Sequence, residues 1–168
     1  MKKWNGIMRI VELVHTSRTG SVLRTERNIL NTMHVLGEDY ILRVLFAGGE
    51  IPNQYYLGLD SRSSISASDT IATLEGLEPD AGGYERQAIR SDNFDVTSAP
   101  TGNQANSPTV LFTSTTESWG PVRNIFMSTG VDYGSGTILI SSANIGQNLV
   151  VSPGETISIR MAMSLSGC

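Results

Sequence analysis

Residues 156–165 read TISIRMAMSL, and apolar residues alternate strictly with polar or small ones along this run. The apolar positions are Ile157, Ile159, Met161, Met163 and Leu165. Because successive side chains of a β-strand point to opposite faces of a sheet, this period of two predicts a strand with one buried face. A shift of one residue would carry Arg160 into the core, so we expect the strand to pair in one well-defined register.

Shorter strand-like runs recur through the rest of the chain and are separated by Gly, Pro, Asn and Ser. They are predicted at residues 55–59, 84–89, 94–97, 109–113, 122–127 and 137–141, with residues 98–107 read as a loop. The 168 residues suit one domain, and only 17% of them are charged. We therefore predict a mainly β, single-domain antiparallel β-sandwich, jelly-roll-like, with one or two short helices.

The N-terminal segment predicts a β-hairpin. Residues 6–15 and 21–30 are rich in β-branched side chains, and Arg18-Thr19-Gly20 between them favours a turn. Simple alternation places Ile7, Val11 and Leu13 on one face and Met8, Ile10 and Val14 on the other. Either both faces are covered within the domain or one face meets another chain. We predict the second arrangement, with residues 1–30 as an attachment segment and residues 31–168 as the β-sandwich domain.

The central segment, residues 54–89, is a long polar excursion between two strands. It offers a short helical turn at Ile71–Leu74, after the cap-forming residues Ser68-Asp69-Thr70. Arg86 is expected to hold the excursion against the sheet by pairing with a loop carboxylate such as Asp69. A second helix is predicted at residues 38–46, because Tyr40, Ile41, Val44 and Leu45 recur at helical spacing before Gly48-Gly49.

The charge and composition exclude several classes of function. The net charge is −4, the isoelectric point is near 5.1, and the basic residues are scattered, so we expect no nucleic-acid partner. No apolar run approaches the ~18 residues of a membrane span, and the N-terminus does not resemble a signal peptide. The single cysteine, Cys168, excludes a disulfide within one chain. It is expected to be an incidental thiol, with an intermolecular bridge as the alternative.

Candidate catalytic residues are few. His15 and His34 are the two histidines, and neither accompanies a nucleophile motif, so we expect surface or helix-capping roles and no enzyme activity. The carboxylates of the central segment are expected to be solvated, and their spacing matches no calcium-loop pattern. No cofactor or metal is predicted. Trp119, in a predicted turn, and Tyr133 are the aromatic side chains that we expect to contact a partner or a glycan.

Five segments, taken in order, resemble a family of small virion proteins of tailed bacteriophages. They are Asn28-Ile29-Leu30, Tyr56-Leu57-Gly58-Leu59 followed by Ser68-Asp69-Thr70-Ile71-Ala72, Gly83-Tyr84-Glu85-Arg86-Gln87, Phe112 followed by Ser118-Trp119-Gly120-Pro121-Val122, and Pro153-Gly154-Glu155-Thr156-Ile157. Together with the final strand that follows the last of them, they extend over residues 28–165. The resemblance implies a small β-sandwich of the assembled virion and carries no catalytic residue.

This resemblance and the two-faced hairpin predict a non-enzymatic structural component of a phage virion, assembled in the cytoplasm of a host bacterium. A capsid decoration or cement protein is the first interpretation, with Met8, Ile10, Val14, Trp119 and Tyr133 binding its partners. Those partners would be the major capsid protein or tail and neck proteins, together with further copies in a homo-oligomer. A tail, neck or fibre component and a receptor- or carbohydrate-binding β-sandwich are the alternatives.

Overall fold

A computed structural model describes residues 4–99 and 102–167, and the side chains of residues 8–98 and 102–164. The strands are β1 (Trp4–Thr16), β2 (Val22–Leu30), β3 (Thr32–Met33), β4 (Gln54–Asp60), β5 (Gln87–Arg90), β6 (Asp95–Ala99), β7 (Gly102–Asn106), β8 (Val110–Thr113), β9 (Trp119–Ser128), β10 (Leu139–Val151) and β11 (Thr156–Gly167). They form two antiparallel sheets that share one apolar core. The predicted mainly β sandwich is confirmed.

The first sheet is organised around β11. Strand β1 pairs with one edge of β11 over nearly its whole length, and β8 and β7 pair in succession with the other edge. The strand order is β2-β1-β11-β7-β6. The predicted alternation of β11 is confirmed from Thr156 to Met161, where Ile157, Ile159 and Met161 are each at most 1% exposed, and it ends at Ala162, which is buried as well. Met163 is partly buried, and the side chain of Leu165 lies outside the described residues.

The second sheet has the order β3-β10-β9-β4-β5, and the α-helix α1 (Val35–Phe46) packs against its strand β10. The helix begins three residues before its predicted start at residue 38, because the extended His34 serves as the N-cap. The predicted helical turn is present as a single 3-10 turn at Ile71–Leu74, with Thr70 as its N-cap. Its two buried side chains pack beneath Phe126 and Leu139 of this sheet.

The N-terminal hairpin forms as predicted, but its division into faces was wrong. The pairing of β1 with β11 slips between Ile10 and Glu12, which is the mark of a β-bulge. The extra residue reverses the alternation, so that Met8, Ile10 and Leu13 all point into the core. Strand β1 lies between β2 and β11 and supplies core side chains, so the hairpin is an integral part of the sandwich and not a separate attachment segment.

The loop predicted at residues 98–107 was also wrong, because Gly102–Asn106 forms β7. Its sequence, GNQAN, has little strand propensity, and its strand conformation comes from pairing with β6 on one side and β11 on the other. Strand β10 is longer than the predicted segment at 137–141 and extends to Val151, with shifts in its register against β9 after Asn144.

Candidate functional site

Helix α1 is held against β10 by a close approach of the two backbones. Gly37 is the buried glycine of the helix, and a Cβ atom built on it would lie 2.3 Å from the carbonyl oxygen of Ile140. Tyr40 and Ile41 are partly buried against the core on the same side. The hydroxyl groups of Tyr40 and Tyr55 are hydrogen-bonded at 3.3 Å, which joins the helix to β4 as well.

The N-terminus of α1 is fixed by a buried histidine. His34 is 0% exposed, and its two ring nitrogens lie 3.0 Å from the carbonyl oxygen of Ser66 and 2.8 Å from Oγ of Ser142. Its backbone N–H donates to the carbonyl oxygen of Ile140. Burial, and then the positive charge of Arg62, hold the pKa of His34 below its ordinary value of 6.5. The neutral imidazole is therefore a structural link between the helix, β10 and the central segment.

Arg62 continues this buried polar cluster. Its guanidinium donates to both carboxylate oxygens of Asp60, to Oδ2 of Asp69 at 2.7 Å and to Oγ of Ser142 at 2.8 Å. Asn124 donates to Asp60 at 2.7 Å. Charges removed from water need such partners, and here the two carboxylates and the guanidinium bond to one another. The cluster fixes the segment that follows β4. The N-terminus of α1 contacts this segment through the hydrogen bond of His34 to Ser66.

The outward side of α1 carries five exposed apolar side chains beside the charged Glu38, Asp39 and Arg43, where a helix that meets only water would be mainly polar. We call it the α1 face and define it by the five exposed apolar residues of the helix, together with Ile51 just after it. Their exposed fractions are Val35 58%, Leu36 47%, Leu42 51%, Leu45 55%, Phe46 81% and Ile51 64%. Helices usually place such a stripe toward a core, so its exposure here indicates a surface that binds another molecule.

The sequence contained a signal for the α1 face that the prediction did not use. The helical spacing of Tyr40, Ile41, Val44 and Leu45 predicted the helix, and of these four residues Leu45 is 55% exposed. A helix that is apolar on all sides is either buried on all sides or covered by a partner. Val35 and Leu42 are seven residues apart, and they form a second apolar stripe beside the stripe of Ile41 and Val44.

A second concave feature lies at the two ends of the central segment. It is an open groove of about 720 Å³, lined by Tyr56, Glu78, Tyr84, Arg86, Gln87 and Tyr133 together with neighbouring residues. At its base Arg86 forms an ion pair with Glu78, with Nη2 2.5 Å from Oε1, and both side chains are nearly fully buried. The hydroxyl groups of Tyr84 and Tyr133 donate to the same carboxylate at 2.7 and 2.6 Å.

Arg86 does pair with a carboxylate of the central segment, as predicted, but that carboxylate is not Asp69, the residue given as an example in the prediction. Arg86 pairs with Glu78, while Asp69 pairs with Arg62. Burial, and then the hydrogen bond to Glu78, raise the pKa of Tyr133 to about 12. The acidic and basic groups at the base of the groove bond mainly to one another, which suits a structural role.

Three of the predicted partner-binding residues do not lie on the surface. Met8 and Ile10 are 3% and 0% exposed in the core because of the β1 bulge. Trp119 is 2% exposed, and its indole N–H donates to the carbonyl oxygen of Ala81 at 2.9 Å, since the residue begins β9 instead of standing in a turn. Val14 is partly buried on the outer face of β1, and Tyr133 is partly buried at the groove. The structure does not bring the five residues together.

The two histidines also differ from their predicted surface or capping roles. His34 does occupy the N-cap position, but its ring is buried and makes no capping bond to α1. His15 is 5% exposed, and its Nε2 lies 2.9 Å from Oε2 of Glu155. The carboxylates of the central segment are likewise not all solvated, because Asp60 and Glu78 are buried in ion pairs. Cys168 lies outside the described residues.

Over residues 4–99 and 102–167, no group of three or more His, Cys, Asp or Glu side chains is placed to hold a metal ion. In the same part of the chain, no helix has both the length and the apolar character that a membrane span requires. Neither the models of known protein families nor the curated proteins include a match to this chain.

Proposed function

We propose that the protein is a non-enzymatic structural component of a phage virion, and specifically a capsid decoration or cement protein. The observation that carries the proposal is the α1 face, where six apolar side chains are about half exposed or more. Leaving such a contiguous surface in water is unfavourable, and its burial against another chain supplies the free energy of assembly. The resemblance of residues 28–165 to small virion proteins supports the same role.

The mechanism is burial of surface between neighbouring copies and capsid subunits. The sandwich holds α1 rigidly, because Gly37 and His34 fix it to β10. A rigid binding surface loses little conformational entropy on association. The edge strand β2 adds a further exposed surface, since Val22 and Leu30 are 62% and 70% exposed. Major capsid protein, or tail and neck proteins, are the partners that this role requires.

The test is the number of copies in purified particles of the virus that encodes the protein, measured by quantitative mass spectrometry against the major capsid protein. Copies on the order of hundreds support a decoration protein spread over the capsid lattice. About six to a few dozen copies would instead place the protein in the tail, neck or vertices. Its absence from the particles would overturn the proposal.

The groove favours a second candidate, a receptor- or carbohydrate-binding role for the same β-sandwich. Tyr56 and Tyr133 line it, and Glu85 and Gln87 add polar side chains at its rim. Sugar-binding sites use aromatic rings and a few polar groups in this way. Trp119, which was predicted to contact a glycan, takes no part in this site, because it is buried.

A glycan array with wild-type protein and with Tyr56→Ala tests the second candidate. A glycan that binds the wild type and is lost in the variant would support it. Thr109→Ala, a substitution of an exposed residue away from the groove, is the matched control and should bind as the wild type does. No binding by the wild-type protein would exclude the carbohydrate interpretation.

A further inference from the structure

We propose that the α1 face binds a second copy of this chain, with the two α1 helices antiparallel about a twofold axis. This inference deepens the function proposed above, since it names one partner of the surface. Successive residues of an α-helix are separated by about 100° in rotation and about 1.5 Å along the axis. Applied to α1, these values give the position of each exposed side chain and show which pairs the twofold axis would bring together.

The centre of the outward side carries Val35, Leu42 and Phe46, which lie within about 20° of one another's mean direction. All three are at least half exposed. In an antiparallel pair centred between residues 40 and 41, Leu42 lies beside its own symmetry mate. Val35 then lies opposite Phe46 of the other copy at both ends. Val35, Leu42 and Phe46 would therefore give the interface an apolar centre line, with Asp39 at its margin, as the core of a stable interface requires.

On the flank that carries Asp39 and Arg43, the charges complement one another under the same axis. Asp39 and Arg43 lie on one flank of the helix, where Arg43 Nε donates to Asp39 Oδ2 at 2.6 Å. Their side chains are 54% and 67% exposed, so neither is committed to the interior of its own chain. The twofold operation places Asp39 of one copy within about one turn of Arg43 of the other, on the same flank. Four charges of alternating sign would meet there, which fixes the antiparallel direction.

The size of the surface sets the expected affinity. Helix α1 has 12 residues, so it is about 18 Å long. One helix pair of that length, with Ile51 at its margin, falls in the smallest class of specific interfaces, below about 1,200 Å² in total. We therefore expect a dimer that dissociates on dilution. Many copies on one lattice would strengthen the same contact through effective concentration.

Sedimentation equilibrium of the full chain, with reductant present so that Cys168 forms no bridge, tests the proposal. The wild type should be dimeric at high concentration. Asp39→Arg leaves each copy with two positive charges on this flank, and Arg43→Asp leaves each copy with two negative charges. Because like charges would then meet across the twofold axis, each variant alone should dimerise at least about tenfold more weakly. An equimolar mixture of the two variants should recover a dimer within about threefold of the wild-type affinity. Arg90→Asp, at another exposed ion pair, is the control and should not change the affinity.

Leu42→Glu adds a test that does not depend on charge pairing, and it should give a monomer with an unchanged circular dichroism spectrum. A monomeric wild type would overturn the proposal, as would dimers of Leu42→Glu or a failure of the mixture to recover. Reduced incorporation of Leu42→Glu into particles, combined with a monomeric wild type, would mean that a different virion protein occupies the face. Those results separate failure of the dimer from failure of the virion role, which the copy number tests.

Discussion

Gly37 of α1 and Ile140 of β10 are in such close contact that no side chain fits between the two backbones. A Cβ atom on Gly37 would lie 2.3 Å from the carbonyl oxygen of Ile140 and 2.6 Å from its Cα atom. Both neighbours are backbone atoms of an internal strand, so they cannot move aside as a flexible side chain could. This contact sets the depth at which the helix lies on the sheet, and therefore the position of the α1 face.

Gly37→Ala should destabilise the protein although alanine is the better helix former. The gain in helix propensity is about 1 kcal/mol, and the overpacking of the helix against β10 should cost more, about 2–3 kcal/mol. Urea unfolding followed by circular dichroism measures the difference. Gly136→Ala is the matched control, because a Cβ atom there meets no atom within 4 Å. Equal stability of the two variants would show that α1 is not fixed by this contact.

Arg86→Ala should destabilise the protein strongly, because it leaves the buried carboxylate of Glu78 without its cation. Breaking a buried ion pair by removing one partner costs about 3–5 kcal/mol. Arg90→Ala removes the cation of the exposed pair with Asp92, and it should leave the urea midpoint nearly unchanged. The central segment should also become more sensitive to protease in Arg86→Ala alone. If both variants unfold at the wild-type midpoint, the Glu78 pair does not fasten the segment.

Acidification should weaken the fold through His34. Burial, and then Arg62, lower the pKa of His34 in the folded protein below 6.5, while the unfolded chain takes up the proton near that value. The free energy of unfolding should therefore fall as the pH decreases below about 6.5, by at most about 1.4 kcal/mol per pH unit, until the folded pKa is reached. Above that range this residue adds no pH dependence.

Urea unfolding at about pH 7.5 and about pH 5.5 measures this effect against His34→Gln. The variant lacks the titrating group, so its stability should depend less on pH than that of the wild type. Asp69 is the nearby carboxylate that raises the pKa of His34, and it remains in both proteins. The same pH dependence in both proteins would show that His34 is not the source.

Deletion of residues 1–30 should unfold the protein. Strand β1 lies between β2 and β11. Its removal would leave the edge of β11 that pairs with it unpaired, and it would remove Met8, Ile10 and Leu13 from the core. Loss of tertiary structure by near-ultraviolet circular dichroism is the expected result. A cooperatively folded product would contradict the integral position of the hairpin and restore its interpretation as an attachment segment.

The fold was largely predictable, because strands with one buried face carry a period of two. The alternation of Ile157, Ile159 and Met161 placed β11 correctly. The bulge in β1 was not predicted, since one inserted residue reverses the pattern without changing composition. Strand β7 was missed for another reason, because its pairing with β6 and β11 is a tertiary effect that overrides weak local propensity.

The candidate site was less predictable, because it depends on which side of α1 the sheet covers. Apolar residues lie on both the inward and the outward side of the helix, and the tertiary contacts of Gly37 and Tyr40 decide that Ile41 points inward and Leu42 outward. The partner of Arg86 depended in the same way on a loop path that the sequence did not specify. Glu78 and Asp69 both lie in the polar excursion, and the chain's path places Glu78 beside Arg86.

The role proposed for the α1 face is the binding of other chains in the assembled virion. The most direct test is the number of copies of Leu42→Glu per purified particle, compared with Leu111→Glu. The two leucines are 51% and 54% exposed, and Leu111 lies on β8, outside the α1 face. We predict wild-type copy numbers for Leu111→Glu and at least about a tenfold loss for Leu42→Glu. Equal incorporation of the two folded variants would contradict the proposed role of the α1 face.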